Sequence, residues 1–441
     1  MSGRAANTTS RLGQSAPPPG IYVDMADRVP TGVRTPDLMT GVPAFIGYAG
    51  PEPGIWERGR LPSVVLERWN FGAFQSSIKP HGRSHLPMAV RGFFANGGKR
   101  CVVLAVPPDK GAERLIGVLQ PGGPLEERTD IDLICVPDAF TRLADDRGAL
   151  SDGDNPYEVQ AAALAHCAAM GDRFAILDAQ YFGPQSPQDL VNEVLGRASF
   201  LRSAFGALYF PWIASDRARD TLQFAAPLAS SQEWRCLARP HRDGDAGSLE
   251  FVPPCGHVAG LIARIDALVG PQRSPANASL EDVVDVSVHL SAPQHALLNR
   301  GGVNCLRRLP GRGVDVGGAR TLSGHSALAF VSAARVVSSF RRWLEVGLRD
   351  LVFEPHSTML WDRIRLRLVS RCFELLRSGA LAGSDPARAF FVKCDSETNP
   401  PDDTDLGRVV AHVGLAPSVP AEFIVVRVEH DPSGVTVSSL S

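Results

Sequence analysis

Hydrophobic positions along the chain follow two alternating patterns. Short apolar runs at Val42–Tyr48, Ser63–Leu66, Cys101–Val106, Ile131–Val136, Phe174–Leu177 and Ala207–Ile213 read as strands, most of them buried. Between them lie segments with helical spacing. These are Leu86–Phe94, closed by Asn96-Gly97-Gly98, the Ala-rich Tyr157–Met170, Leu190–Leu201 and His257–Leu268. An aromatic stretch, Trp69–Phe74, follows the second strand. The alternation is that of an α/β protein.

The C-terminal third repeats the pattern. Helices are expected over Leu328–Leu348 and Leu360–Arg377, and strands over Leu351–Phe353, Ala389–Lys393, Val409–Val413 and Phe423–Val428. Two stretches read as connectors, Gly270–Ala276 and a glycine-rich run through Gly301, Gly302, Gly311, Gly313, Gly317 and Gly318. Residues 1–18 have no periodicity. They form either a frayed terminus or an arm that spans ~60 Å when extended, well beyond a body whose radius of gyration is ~22 Å. Strand-like phrases stand near both ends of the chain: Pro19-Gly20-Ile21-Tyr22-Val23, and Phe423–Val428 with Val435-Thr436-Val437 beyond it.

Composition narrows the function classes. With 441 residues the chain supports more than one domain, and 44% hydrophobic with 21% charged residues is ordinary for a globular protein. A net charge of -2 lacks the basic excess of a general nucleic-acid binder. Apolar runs stop short of the ~18 to 20 residues that cross a bilayer, and Met1–Pro19 lacks the apolar stretch of a secretory signal. The eight cysteines include no close pair, so they read as buried thiols of a protein made in the cytoplasm.

Candidate chemistry is sparse. Gly311–Gly318 has a displaced third glycine for a dinucleotide fingerprint, and Asn96–Arg100 lacks P-loop spacing. Ser323-Gly324-His325-Ser326 is no nucleophile elbow, and Asp402–Asp405 lacks the alternating ligands of a calcium loop. Cys255-Gly256-His257 reads as a helix start. No catalytic, cofactor-binding or metal-ligating residue is assigned. The alternative is an oligomeric α/β enzyme using the His257 or His325 region. On the helix near Leu360, Arg363, Arg367 and Arg371 recur at i, i+4 and i+8 beside an apolar face of Trp361, Ile364, Leu368, Cys372 and Leu375. That row is either solvated surface or a docking strip for an acidic partner.

Four blocks carry a resemblance. The first is Pro19–Val23 with Gly32-Val33-Arg34 and Val42–Gly47, and the second is Leu86–Cys101. The third runs from Pro253–Gly260 through Ser274–Asn277 to Gly318–Leu322. The fourth includes Phe353-Glu354-Pro355, Leu360-Trp361, Phe390–Asp395 and Pro420–Ile424. In these blocks the chain resembles the tail sheath proteins of contractile bacteriophage tails and contractile injection systems.

The resemblance implies a multi-domain α/β (mixed α+β) subunit with extended N- and C-terminal arms. It implies helical polymerisation around an inner tube, and contraction that drives the tube through a target envelope. The expected organisation is an arm over 1–20, an N-terminal and middle region over 21–285, a core domain over 286–430 and a second arm over 431–441. Ile21, Tyr22, Val23, Phe423, Val425, Val435 and Val437 would link subunits by adding strands to neighbouring sheets. Arg363, Arg367 and Arg371 are the candidate contacts to the inner tube. The implied partners are further copies of the chain, the inner tube protein, and baseplate and terminator or cap proteins, without nucleic acid or membrane insertion. Assembly would take place in the bacterial cytoplasm, giving a phage tail or an extracellular or cell-anchored contractile particle.

Overall fold

The computed structural model describes residues 38–49, 63–141, 155–182, 187–215, 251–323, 328–351, 354–405, 407–418, 424–431 and 434–440, the last two segments by backbone pairing. The chain divides into two compact units, one of residues 38–342 and one of residues 343–441 grouped with 1–37.

The larger unit begins with β1 (Pro43–Tyr48), β2 (Ser63–Leu66), α1 (Phe71–Ile78), α2 (Leu86–Ala95), β3 (Cys101–Val106) and α3 (Ala112–Leu119). Next come β4 (Leu133–Cys135), α4 (Pro156–Met170), β5 (Phe174–Asp178), α5 (Pro187–Phe200), β6 (Gly206–Phe210), β7 (Ile213–Ala214) and β8 (Phe251–Val252). The unit continues through α6 (Cys255–Leu268), β9 (Ser279–Leu280), β10 (Asp285–Val286), α7 (Ala292–Arg300), β11 (Val303–Leu309) and β12 (Gly313–Val316) into α8 (Val331–Gly347). Arg342 of α8 is the last residue of this unit.

Its main sheet has the order β2-β3-β1-β4-β5-β6-β11-β12-β9. The strands from β3 to β11 are parallel, as in the register Phe45↔Val103 and Ile134↔Ala175. Antiparallel strands close both edges. The period of two along each strand divides the core. Ala44, Ile46, Val102 and Leu104 face one side with α3, α4 and α5, whereas Phe45, Cys101, Val103 and Ala105 face the other with α1, α2 and α6. A sheet covered on both faces needs apolar residues at every strand position, which is why its strands were readable as unbroken runs.

Two expectations change in this unit. The glycine-rich stretch is not a connector: β11 pairs in parallel with β6 and antiparallel with β12, making a hairpin inside the main sheet. Its turn needs Gly311 and Gly313 at φ +77° and +86°, so the glycines mark a hairpin and not a crossing between domains. The compact division falls after Arg342. The apolar run Ala207–Ile213 splits into β6 and β7 at Pro211, which has no N–H for the ladder. The aromatic stretch is largely helical, because the Asn70 side chain caps α1 by accepting from Ala73 N at 3.0 Å.

The smaller unit contains α9 (Thr358–Arg377), α10 (Pro386–Ala389), β13 (Phe390–Lys393), α11 (Pro401–Asp405), β14 (Val409–Leu415), β15 (Ile424–Asp431) and β16 (Gly434–Leu440). Leu351, expected to open a strand, lies in a short 3-10 turn over Arg349–Leu351, and Phe353 is outside the described residues. The acidic run Asp402–Asp405 is part of α11 and not a loop. The sheet is antiparallel throughout, in the order β13-β14-β15-β16, with α9 packed against β13 and β14. Phe373 of α9 meets Phe390 edge-on at 5.2 Å.

Candidate functional site

The strands proposed for subunit linkage are placed by their register. Val425 in β15 stands opposite Gly414 of β14 and Leu440 of β16. Val435 pairs with His430, and Val437 with Val428. The segment expected to leave the body as an arm is therefore paired with its own chain, returning as the second half of a hairpin from Asp431 to Gly434. β16 is the outermost strand of this sheet. Its sequence, Gly-Val-Thr-Val-Ser-Ser-Leu, carries no charge and no proline, the usual devices that keep an edge from pairing further. Phe423, Ile21, Tyr22 and Val23 lie outside the described residues.

The arginine row stands on α9, but it is not bare positive surface. Arg363 is ion-paired with Glu354 and Arg367 with Asp350, whose Oδ2 is 2.6 Å from Arg367 Nη2. Arg367 also donates to the Gly347 carbonyl at 2.9 Å. Arg371 pairs with Glu374 at 2.9 Å and stacks over the Trp343 ring at 5.5 Å. The Arg367 hydrogen bond holds the Asp350 carboxyl below the usual carboxylate range.

At His257, enzyme-like chemistry fails on geometry. His257 is 1% exposed on α6, and neither ring nitrogen has a hydrogen-bond partner. A Cβ on Gly92 of α2 would lie 2.3 Å from the His257 ring, so the imidazole fills the space that glycine leaves at this helix crossing. Burial, with the Arg91 charge, pushes its pKa down to about 3. A sealed, neutral imidazole cannot take a proton from a substrate. His325 lies outside the described residues.

Ligands of open parallel sheets bind outside the carboxyl ends of the strands. Here that edge is committed to structure. Asp138, fully buried, accepts from Tyr48 N at 2.7 Å, Ser84 Oγ at 2.5 Å, His85 N at 2.6 Å and Thr141 Oγ at 2.9 Å. Asp178 accepts from Cys255 N at 2.7 Å and so caps α6, and burial pushes its pKa up to about 7. Trp212 packs against His85 and Tyr181 over the same edge. An open concavity of about 540 Å³ elsewhere is lined by Trp69, Arg91, Phe94, Ala95, Glu281 and Asp282, with Arg91 and Asp282 ion-paired at 3.1 Å. It contains neither nucleophile nor histidine.

Among the described residues no group of His, Cys, Asp or Glu could hold a metal, and no helix is long and apolar enough to cross a membrane. The seven described cysteines are buried and unpaired.

Residues 148–322 match the family model described as the phage tail sheath protein central domain. A structure of the anti-feeding prophage (AFP) baseplate superposes with a TM-score of 0.64 at 22% identity, covering 93% of this chain and 98% of that one. The contracted PVC sheath complex of an extracellular contractile injection system gives 0.64 at 20% identity, covering 93% and 97%. The sheath tail protein of Desulfitobacterium hafniense gives 0.55 at 9% identity, covering 93% and 100%. A search of curated proteins gave no match.

Proposed function

We infer that this chain, which carries a phage tail sheath central domain within a sheath-protein fold, is a structural subunit that polymerises helically around an inner tube and contracts to drive it through a target envelope. The observation that carries the reading is the C-terminal sheet: an antiparallel sheet whose last strand, β16, presents an uncharged, proline-free edge. Such an edge extends by strand addition, each main-chain bond contributing about 0.5 to 1.5 kcal/mol net. A contact between unlike surfaces, repeated without closing, builds a helix and not a ring.

In this reading Ile21, Tyr22 and Val23 of one copy, and the Phe423–Val437 hairpin of another, supply the linking strands. The in-chain pairing of β16 with β15 is the state of the free subunit, and the same register is available to a neighbour's strand. Arg363, Arg367 and Arg371 face the inner tube, which they meet by sharing carboxylates with their own acidic partners. Baseplate and terminator or cap proteins complete the particle, which is assembled in the bacterial cytoplasm.

Negative-stain electron microscopy of the purified chain over a concentration series tests the assembly. Long hollow cylinders with oblique ridges are expected; monodisperse particles at every concentration overturn the reading. Replacing Phe423 and Val425 together by proline removes ladder donors, so cylinders should vanish while circular dichroism of the body is unchanged. Cylinders that persist in the double variant sink strand linkage through this segment.

A further inference from the structure

The larger unit begins at Leu38 and ends at Arg342. The residues at its two ends are fastened to one another. Arg342, on α8, donates from Nη1 to the Met39 carbonyl at 3.1 Å and from Nη2 to the Thr129 carbonyl at 3.2 Å. Its Nε is buried without a partner, so these two bonds are what hold the guanidinium.

Two residues further along the incoming strand, Gly41 N and Val42 N donate to the Asp132 carboxylate at 3.0 and 2.6 Å. That carboxylate also accepts from Arg335 Nη2 at 3.2 Å, and Arg335 Nη1 reaches Asp266 of α6 at 2.7 Å. Arg335 and Arg342 are seven residues apart, two turns of α8, and so lie on one face of that helix. All four charged side chains are buried, with Arg335 at 3% and Arg342 at 5% exposure. Gly41 has no Cβ, and one placed there would lie 2.5 Å from Ala263 Cα, so the incoming strand lies hard against α6.

We propose that Arg335, Arg342, Asp132 and Asp266 form a single joint that clamps the first and last residues of the larger unit together. A load on either end of this unit then enters it at one place. Two independent tethers would let each be pulled separately and would shear the sheet between them. One buried ionic joint passes the force to α6, α8 and the Asp132 end of β4 together. Its mechanical purpose rests on the sheath reading, whereas the coupling itself does not.

The test is native-state amide exchange on the full chain carrying Arg342→Met, which keeps the apolar stem and removes both Nη bonds. Arg342 does not touch the Gly41 or Val42 amides. A single joint requires both to exchange about tenfold faster in the variant, with the buried strand β3 unchanged. Arg342→Lys, which can restore one of the two bonds, should recover part of the protection. Unchanged exchange at Gly41 and Val42 in Arg342→Met overturns the proposal and leaves two separate anchors. Equal acceleration at β3 also overturns it, because the loss is then of global stability. In electron micrographs the variant should form sheaths that fragment at lower shear than the parent. If exchange responds and neither protein forms sheaths, the joint stands and the sheath reading fails.

Discussion

The two sheets of this protein answer opposite requirements. The large parallel sheet is covered on both faces, bounded by short antiparallel strands, and plugged at its carboxyl end by Asp138, Asp178 and Trp212. The small antiparallel sheet ends on an uncharged strand, and α9 beside it carries ion pairs that solvent reaches. The large sheet is bounded by strands of four and two residues, β2 and β9, whereas the small one ends on a strand of seven. A longer edge offers more main-chain groups to a further strand, which is where the proposed linkage between subunits would gain its bonds.

The sharpest way to break the contrast is at Arg335. Arg335→Met leaves Asp132 and Asp266 buried without their cation and should cost ~3 to 5 kcal/mol, read by urea unfolding of the full chain. Restoring neutrality with Asp132→Asn and Asp266→Asn should recover part of that loss. Next is Gly92→Ala, whose new methyl collides with the His257 ring; a loss of ~1 to 3 kcal/mol is expected, relieved by His257→Ala.

Two groups at the start of α6 give opposed pH dependences. Asp178, with its folded pKa raised to about 7, binds a proton more readily folded than unfolded, so its contribution is full at acid pH and is lost as pH rises through 7. His257, lowered to about 3, contributes fully above its unfolded value of 6.5 and loses that contribution as pH falls toward 3. Between about pH 4 and 6.5 the two slopes offset each other. Asp178→Asn should therefore make the chain lose more stability on acidification than the parent. His257→Leu should make it lose less, and denaturant midpoints at pH 4.5 and 7 check both.

The smallest effect belongs to α9. Arg363→Gln breaks an exposed pair with Glu354 and should shift stability by ~0 to 1 kcal/mol. A change in sheath assembly on the inner tube, without a change in assembly of the empty sheath, would assign the residue to the tube contact.

Much of the large sheet was legible because doubly buried strands are continuous apolar runs: β1, β3 and β5 stand within a residue or so of their expected limits. The helices α2, α4 and α6 were legible from their spacing and glycine stops. The β11–β12 hairpin was not, since its polar outer half, Arg307 and Arg308, breaks the run and its turn glycines resemble a linker. Nor was α7, short and weakly amphipathic, whose capping box at Ser291 and Gln294 was the available signal. The arginine row was readable as a row. Its acidic partners Asp350 and Glu354 come from the segment between α8 and α9, whose approach spacing does not predict. Arg335 and Arg342 were overlooked for the converse reason: a charge on the apolar face of a helix reveals its purpose only when its distant partners are in view, carboxylates 69 and 203 residues away for Arg335 and the Met39 and Thr129 carbonyls for Arg342.

Residues 38–342 begin and end at the same place within the larger unit. The guanidinium of Arg342 already spans the gap to Met39. Joining these two ends by a short linker and opening the chain elsewhere, a circular permutation of the larger unit, therefore becomes a genetic operation of low cost.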